Sequence, residues 1–246
     1  MQKLTHTPML TRYLIKFIIR ITIFVFITIL YITNKPLMCD FMTQPIKMGI
    51  TPLHILWLVF MVMMLRHIFP SPKLSMAIHK ADSDRFRENE NYSELELLKF
   101  VQNQNLKAWK VMLIWLSFNA VFGILYLMHI LDNADLLMLV VFYFLCDYIC
   151  ILIFCPFQSG IMKNRCCVNC RIYEWGHFMM FTPMLFIRNF YSWSLFFTAC
   201  IVLLKWEIVY AKYPERFWFG SNKNLQCVNC KDKICQIKRM VKKNDL

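Results

Sequence analysis

Cysteine carries most of the reactive chemistry in this chain: eleven of its 246 residues are Cys, and part of their spacing is repeated. The tetrapeptide Cys-Val-Asn-Cys occurs at Cys167–Cys170 and again at Cys227–Cys230. Cys166 directly precedes the first copy, and Cys235 follows the second by five positions. A C-x-x-C pair on a tight turn lets two thiolates approach one metal ion, at about 2.3 Å each for zinc, and two such pairs complete a tetrahedron. Nearby Arg165, Arg171, Lys231 and Lys233 offset the thiolate charge and favour ionisation. The leading expectation is one structural zinc site shared by Cys167, Cys170, Cys227 and Cys230, with Cys166 and Cys235 as additional ligands. An iron–sulfur centre at the same cysteines and a redox dithiol are the alternatives. Disulfides are disfavoured if this face is in a reducing cytosol.

Other groups could join such a site. Glu174 and His177 stand three apart, share a helix face and follow Cys170 closely, so they are candidate hydrogen-bond partners of the ligands. Glu-x-x-His also occurs in di-iron bundles, but those use two copies and two further Glu, and this chain has one copy. Asp147 falls in the middle of an apolar run, where an ionisable group is costly and points to function. Lys205 and Glu207 lie in a later run, and His54, His67 and His129 fall near the ends of theirs. Cys146 and Cys200 read as small buried apolar residues. Cys150 and Cys155-Pro156 resemble the C-x-x-x-C-P of membrane ferredoxin-type electron-transfer subunits, with four residues between the cysteines in place of three and without the ferredoxin cysteine runs. That resemblance implies electron transfer at the end of the fourth apolar run. P-loop, dinucleotide-binding, G-x-S-x-G and H-E-x-x-H signatures do not occur.

These residues need elements to hold them, and the composition says which kind. Hydrophobic residues make up 58% of the chain and charged residues 17%, both on the membrane side of the globular norm. A bilayer core of about 30 Å needs roughly 20 helical residues. The apolar runs are 14–32, 50–69, 109–131, 134–155, and a long stretch at 172–210 interrupted by Arg188 and Asn189. Splitting the last gives a short fifth span containing Pro183 and a sixth from Tyr191 to Tyr210, with a re-entrant segment at 172–188 as the alternative to the fifth span. Lys16 and Arg20 near the start of the first span are expected to snorkel to the interface. No small-residue cleavage pattern follows that run, so it reads as a retained span. Ser93 with Glu96 forms a capping-box pattern for a helix leading into the third span. Met61, Met63 and Met64 read as packing.

Charge sets the orientation. Lys3, Arg12, Lys16 and Arg20 precede or open the first span, 156–171 carries bases without acids, and the tail from 211 has nine Lys or Arg against three acids. The positive-inside rule then places the N-terminus, the 70–108 loop, the 156–171 loop and the tail in the cytoplasm. Cys39 would be the only thiol outside. The expected architecture is an all-α polytopic membrane protein of about six transmembrane helices with a small cytoplasmic cysteine-rich metal module. Its segments are 1–13, spans 14–69, loop 70–108, hairpin 109–155, Cys-rich loop 156–171, hairpin 172–210 and basic tail 211–246. The expected location is a cell membrane of bacterial type. The net charge of +13 sits mostly beside spans, where it attracts anionic lipid, so nucleic acid is not an expected partner. A scaffold or accessory subunit closed by zinc, with a protein partner at the cytoplasmic face, is the first functional expectation. A membrane redox protein passing electrons to a quinone or haem near Asp147, Cys150 and Cys155 is the second, and a transporter or metal sensor the third.

Overall fold

The computed structural model describes residues 7–36, 51–69, 86–89, 92–164, 166–167, 169–230 and 233–238. Cys39 and residues 70–85 lie outside them. The described residues are helical, with a single isolated bridge between Glu88 and Asn222 and no strand.

Local chemistry starts the helices where the sequence marks them. Helix α1, Pro8–Thr33, begins with Pro8 in its first turn and Thr7 accepting the Leu10 N–H at 3.2 Å. Helix α2, Pro52–Ile68, has Thr51 and His54 in a reciprocal cap, so a histidine fills the place usual for Glu or Gln. Helix α3, Glu94–Leu127, runs unbroken from the polar segment into the third apolar run; Ser93 sits at its N-cap but its side chain makes no capping bond, so the expected box does not form. At about 51 Å, α3 exceeds the hydrocarbon core. Asp132 and Asp135 cap α4, Asn133–Leu152, which follows α3 after a short connection. Helix α6, Phe190–Lys212, starts at Asn189, whose side chain accepts the Tyr191 N–H.

Among the described residues four helices, α1, α3, α4 and α6, are long and apolar enough to cross a membrane, and α2 is apolar with 17 residues. Their outer faces expose large apolar side chains such as Ile18, Ile29, Leu113 and Ile208, a surface that water would disfavour and lipid accepts.

The expected fifth span takes a different form. Arg171–Trp175 is a 3-10 turn, Gly176–Phe181 forms the short helix α5, and Thr182–Leu185 is again 3-10. Pro183 contributes no N–H, and the Thr182 hydroxyl donates back to the Phe178 carbonyl at 2.8 Å. This stretch of about 27 Å lies between α4 and α6, with Trp175, Phe178, Phe181 and Met184 buried. Helix α1 packs on α4 and α2 on α6. Buried polar ties fix the register: Trp115 Nε1 donates to Thr182 Oγ1 at 3.1 Å, and Tyr143 donates to Asn119 Oδ1 at 3.2 Å.

Gly123 allows the closest approach in α3, since a Cβ there would lie 2.2 Å from the Phe186 ring. Gly123→Val is expected to displace that ring and cost about 2 kcal/mol, as overpacking does. Thermal unfolding in mild detergent checks it; an unchanged transition would show that Phe186 moves freely.

The described residues of the tail, 211–230 and 233–238, fold onto the helices. Phe217 packs edge-on against Trp206 and Tyr210, Trp218 stacks on Phe100, and Lys223 N–H donates to the Arg87 carbonyl at 2.9 Å. Ile234 is buried in a cluster with Leu10, Tyr13, Tyr148 and Leu152, which seats the tail against α1 and α4.

Candidate thiol site

Helix α4 ends at Leu152, so the fourth span stops short of Cys155 and the chain turns. That turn brings the Cys155 thiol back beside that of Cys150. Gln158 N–H also points at Cys155 Sγ, at 3.4 Å. The neighbouring Cys150 thiol holds the Cys155 thiol at about 6, against the opposing effect of burial. The Gln158 and Phe157 N–H groups and the charge of Lys238 act in the same direction.

Cys167 faces the same place. Its thiol donates to Gln158 Oε1 at 3.0 Å, and Lys238 Nζ lies 2.7 Å from both Cys167 Sγ and Gln158 Oε1. Lys238 also donates to the Cys150 carbonyl. The docking of Ile234 one turn earlier puts Lys238 within reach. Burial prevails over the ammonium and pushes the Cys167 thiol up to about 11. Cys170 is buried, its N–H bonds the Cys167 carbonyl at 2.9 Å, and burial pushes its thiol up to about 12.

The second tetrapeptide folds into a similar turn, with Cys230 N–H on the Cys227 carbonyl at 3.3 Å, and Asn169 Nδ2 ties the first loop to the Leu225 carbonyl at 3.3 Å. The two loops are therefore neighbours. Cys227 is nevertheless exposed, and Cys166, Cys230 and Cys235 are half-buried. Among the described residues no group of three or more His, Cys, Asp or Glu side chains is arranged to hold a metal ion. Cys150 and Cys155, set aside from the sequence's leading site, line the same cavity as Cys167, whose thiol donates to the Cys150 carbonyl at 3.7 Å. Their signal was the C-x-x-x-x-C-P spacing at the end of an apolar run.

The other candidate residues form a separate buried polar layer. Asp147 pairs with Arg20 at 2.9 Å, and the guanidinium stacks between the Phe144 and Tyr148 rings, 3.9 Å from each centroid. Arg20 thus does not snorkel; it is buried, because a carboxylate and two ring faces on α4 solvate it better than a stretched conformation would. Glu174 bonds His67 Nδ1 at 2.9 Å. His67 is correspondingly drawn inward, its ring edge-on to His177 at 4.8 Å. Arg171 leaves the thiols for Glu207 and Asn105 and lies over the Tyr210 ring, while Trp175 Nε1 donates to Glu207 Oε1 at 2.8 Å. Lys205 donates to the Ile68 carbonyl, joining α6 to α2.

Above the thiols, α3, α4 and the 171–180 stretch enclose a cavity of about 620 Å³. Its walls are apolar and aromatic, and Asp147, Cys150, Cys155, Gln158, Cys167 and Cys170 line it as well. Gly176 keeps this wall thin: a Cβ there would lie 2.8 Å from Asp147 Oδ1.

Among the described residues the fold and site define an all-helical chain with four membrane-length helices and a cavity lined by Cys150, Cys155, Cys167 and Cys170 where α4 ends. No protein-family model, curated protein or solved structure matches it.

Proposed function

We propose that this is an integral membrane thiol redox protein whose working pair is Cys150 and Cys155. One observation carries this reading: the end of α4 sets two thiols side by side at the wall of one cavity, with Cys167 lining it too and Lys238 on Cys167. A neighbouring dithiol with one acidified member is what disulfide formation needs, because the thiolate is the reacting form. The 17-residue α2 and the 171–185 stretch complete a six-crossing topology in this reading, with both ends on the basic, cytoplasmic face. Mild oxidation of the detergent-solubilised protein with diamide is expected to give one intramolecular disulfide, Cys150–Cys155, by peptide mass spectrometry. A Cys167–Cys170 disulfide in its place, or none, would overturn the assignment.

A second reading, a scaffold clamped by structural zinc, is favoured by the similar turns of the two tetrapeptides and the Asn169–Leu225 bond between their loops. Closing it needs Cys167 to leave Gln158 and the second turn to swing toward the first. Purified protein should then carry about one zinc per chain, with loss of metal in Cys227→Ser/Cys230→Ser. Metal-free protein with an unchanged melting temperature eliminates this reading, and iron with acid-labile sulfide turns it into an iron–sulfur centre.

A further inference from the structure

We propose that the cavity above the thiols binds a lipid-soluble quinone, which rests on the thiol redox reading for its electron donor. The mouth faces lipid: Ile114 and Phe118 of α3 and Phe142 of α4, at its rim, are each about half exposed on the outer surface of the helices. An occupant therefore enters from the hydrocarbon. At about 620 Å³, the space suits a ring and the first part of an attached chain.

Charge narrows the occupant further. Among the described residues no Lys, Arg or His lines the cavity, and the carboxylate at its wall is that of Asp147, beside the phenols of Tyr143 and Tyr173. A phospholipid phosphate or a fatty-acid carboxylate would meet no cation there and would face a like charge. Arg20 and Lys238 approach from behind the wall, engaged with Asp147 and with Cys167 and Gln158. The occupant favoured is uncharged. Trp115, Phe118, Phe142 and Tyr143 supply flat faces for a planar ring, and Met179 and Met180 supply polarisable sulfur opposite.

The thiols at the inner end give the ring something to react with. Two electrons and two protons leave Cys150 and Cys155: both S–H bonds break and one S–S bond forms. The quinone takes up both electrons and both protons as two new O–H bonds, leaving as quinol. Thiols and quinone balance without another reactant. Quinol formation makes the molecule more polar but not charged, so it can return to the lipid by the same mouth.

The test uses the full chain, reduced, in mild detergent, with decylubiquinone as probe and oleate as comparison. Saturable quenching of tryptophan fluorescence by the quinone is expected, with no competition from oleate. Cys150→Ser/Cys155→Ser should retain that binding and lose quinol production. Cys146→Phe, which fills the cavity from α4, should weaken binding about tenfold with an unchanged melting temperature. No saturable quenching, equal quenching in Cys146→Phe, or displacement by oleate overturns the quinone site. If diamide still produces the Cys150–Cys155 disulfide in that case, the redox reading stands without it. Saturable binding with no disulfide on quinone addition leaves the site and removes its thiol chemistry.

Discussion

Replacing Asp147 with Ala is expected to cost about 3 kcal/mol, a drop of about 6–12 °C in melting temperature for a chain of this length. Arg20 is the reason. Its guanidinium is buried, bonded to the Phe144 carbonyl at 2.5 Å and to Asp147 at 2.9 Å, with a ring on each side. Removal of the carboxylate leaves a charge that cannot be discharged, because Arg does not deprotonate. The opposite deletion is milder. In Arg20→Met the guanidinium is gone and no fixed buried cation is left behind. The double variant Arg20→Met/Asp147→Leu should recover most of the loss, since a buried ion pair replaced by apolar side chains is often neutral. Thermal unfolding of the four proteins forms a double-mutant cycle. Simple additivity, or an Asp147→Ala protein as stable as the parent, would show that the pair contributes nothing.

That pair also marks what a sequence can and cannot reveal here. Asp147 stood out because a lone carboxylate in an apolar run is costly, but its partner lies 127 residues earlier and read as a snorkelling base. Glu174 and His177 were legible as a shared helix face, whereas His67, 107 residues away from Glu174, was not legible as the partner. Local signals fared unevenly: the helix from Glu94 runs unbroken into the third apolar segment as read, while the Ser93–Glu96 box does not form and the caps at Thr7 and Asp132 emerge only in the structure. The interruption at Pro183 was visible too. The flanking 3-10 turns were not, since they depend on how that stretch packs between α4 and α6.

The cysteines illustrate the same limit from the side of chemistry. The repeated tetrapeptide gave two local turns of similar form, as C-x-x-C spacing implies. Spacing does not say where a thiol points, and the packing of Ile234 directs Lys238, rather than Cys227 or Cys230, onto Cys167. Cys150 and Cys155 would lie about 140° apart on a continuous helix and could not meet. They meet because α4 stops at Leu152, and the exact stopping point of a helix is among the least legible features of a sequence. The Lys238 contact also ties the tail to the thiols, so any change that undocks Ile234 should alter thiol reactivity from a distance.

Cys150→Ala is expected to change the alkylation of Cys155 in opposite directions at low and high pH. In the parent protein the neighbouring Cys150 thiol holds Cys155 at about 6, so its thiolate is half formed there and nearly complete at neutral pH. Loss of that thiol removes the largest of the effects that favour the thiolate, while burial continues to oppose it, so the value rises toward the ordinary range of about 8.5–9. A rise of three units cuts the thiolate fraction at pH 6 several-hundredfold, and the more basic thiolate regains about twentyfold in intrinsic reactivity. The net effect is about a twentyfold slower reaction with iodoacetamide at pH 6. At pH 10, where both thiols are ionised, the variant should react faster than the parent. Cys167 and Cys170, at about 11 and about 12, stay largely protonated below pH 10 and contribute little to the slower phase. Peptide mass spectrometry of quenched samples across pH 5–10 separates the sites. A pH–rate profile for Cys155 that is the same with and without Cys150 would place the acidifying influence on Lys238 and the Gln158 N–H, and the dithiol would lose its built-in nucleophile.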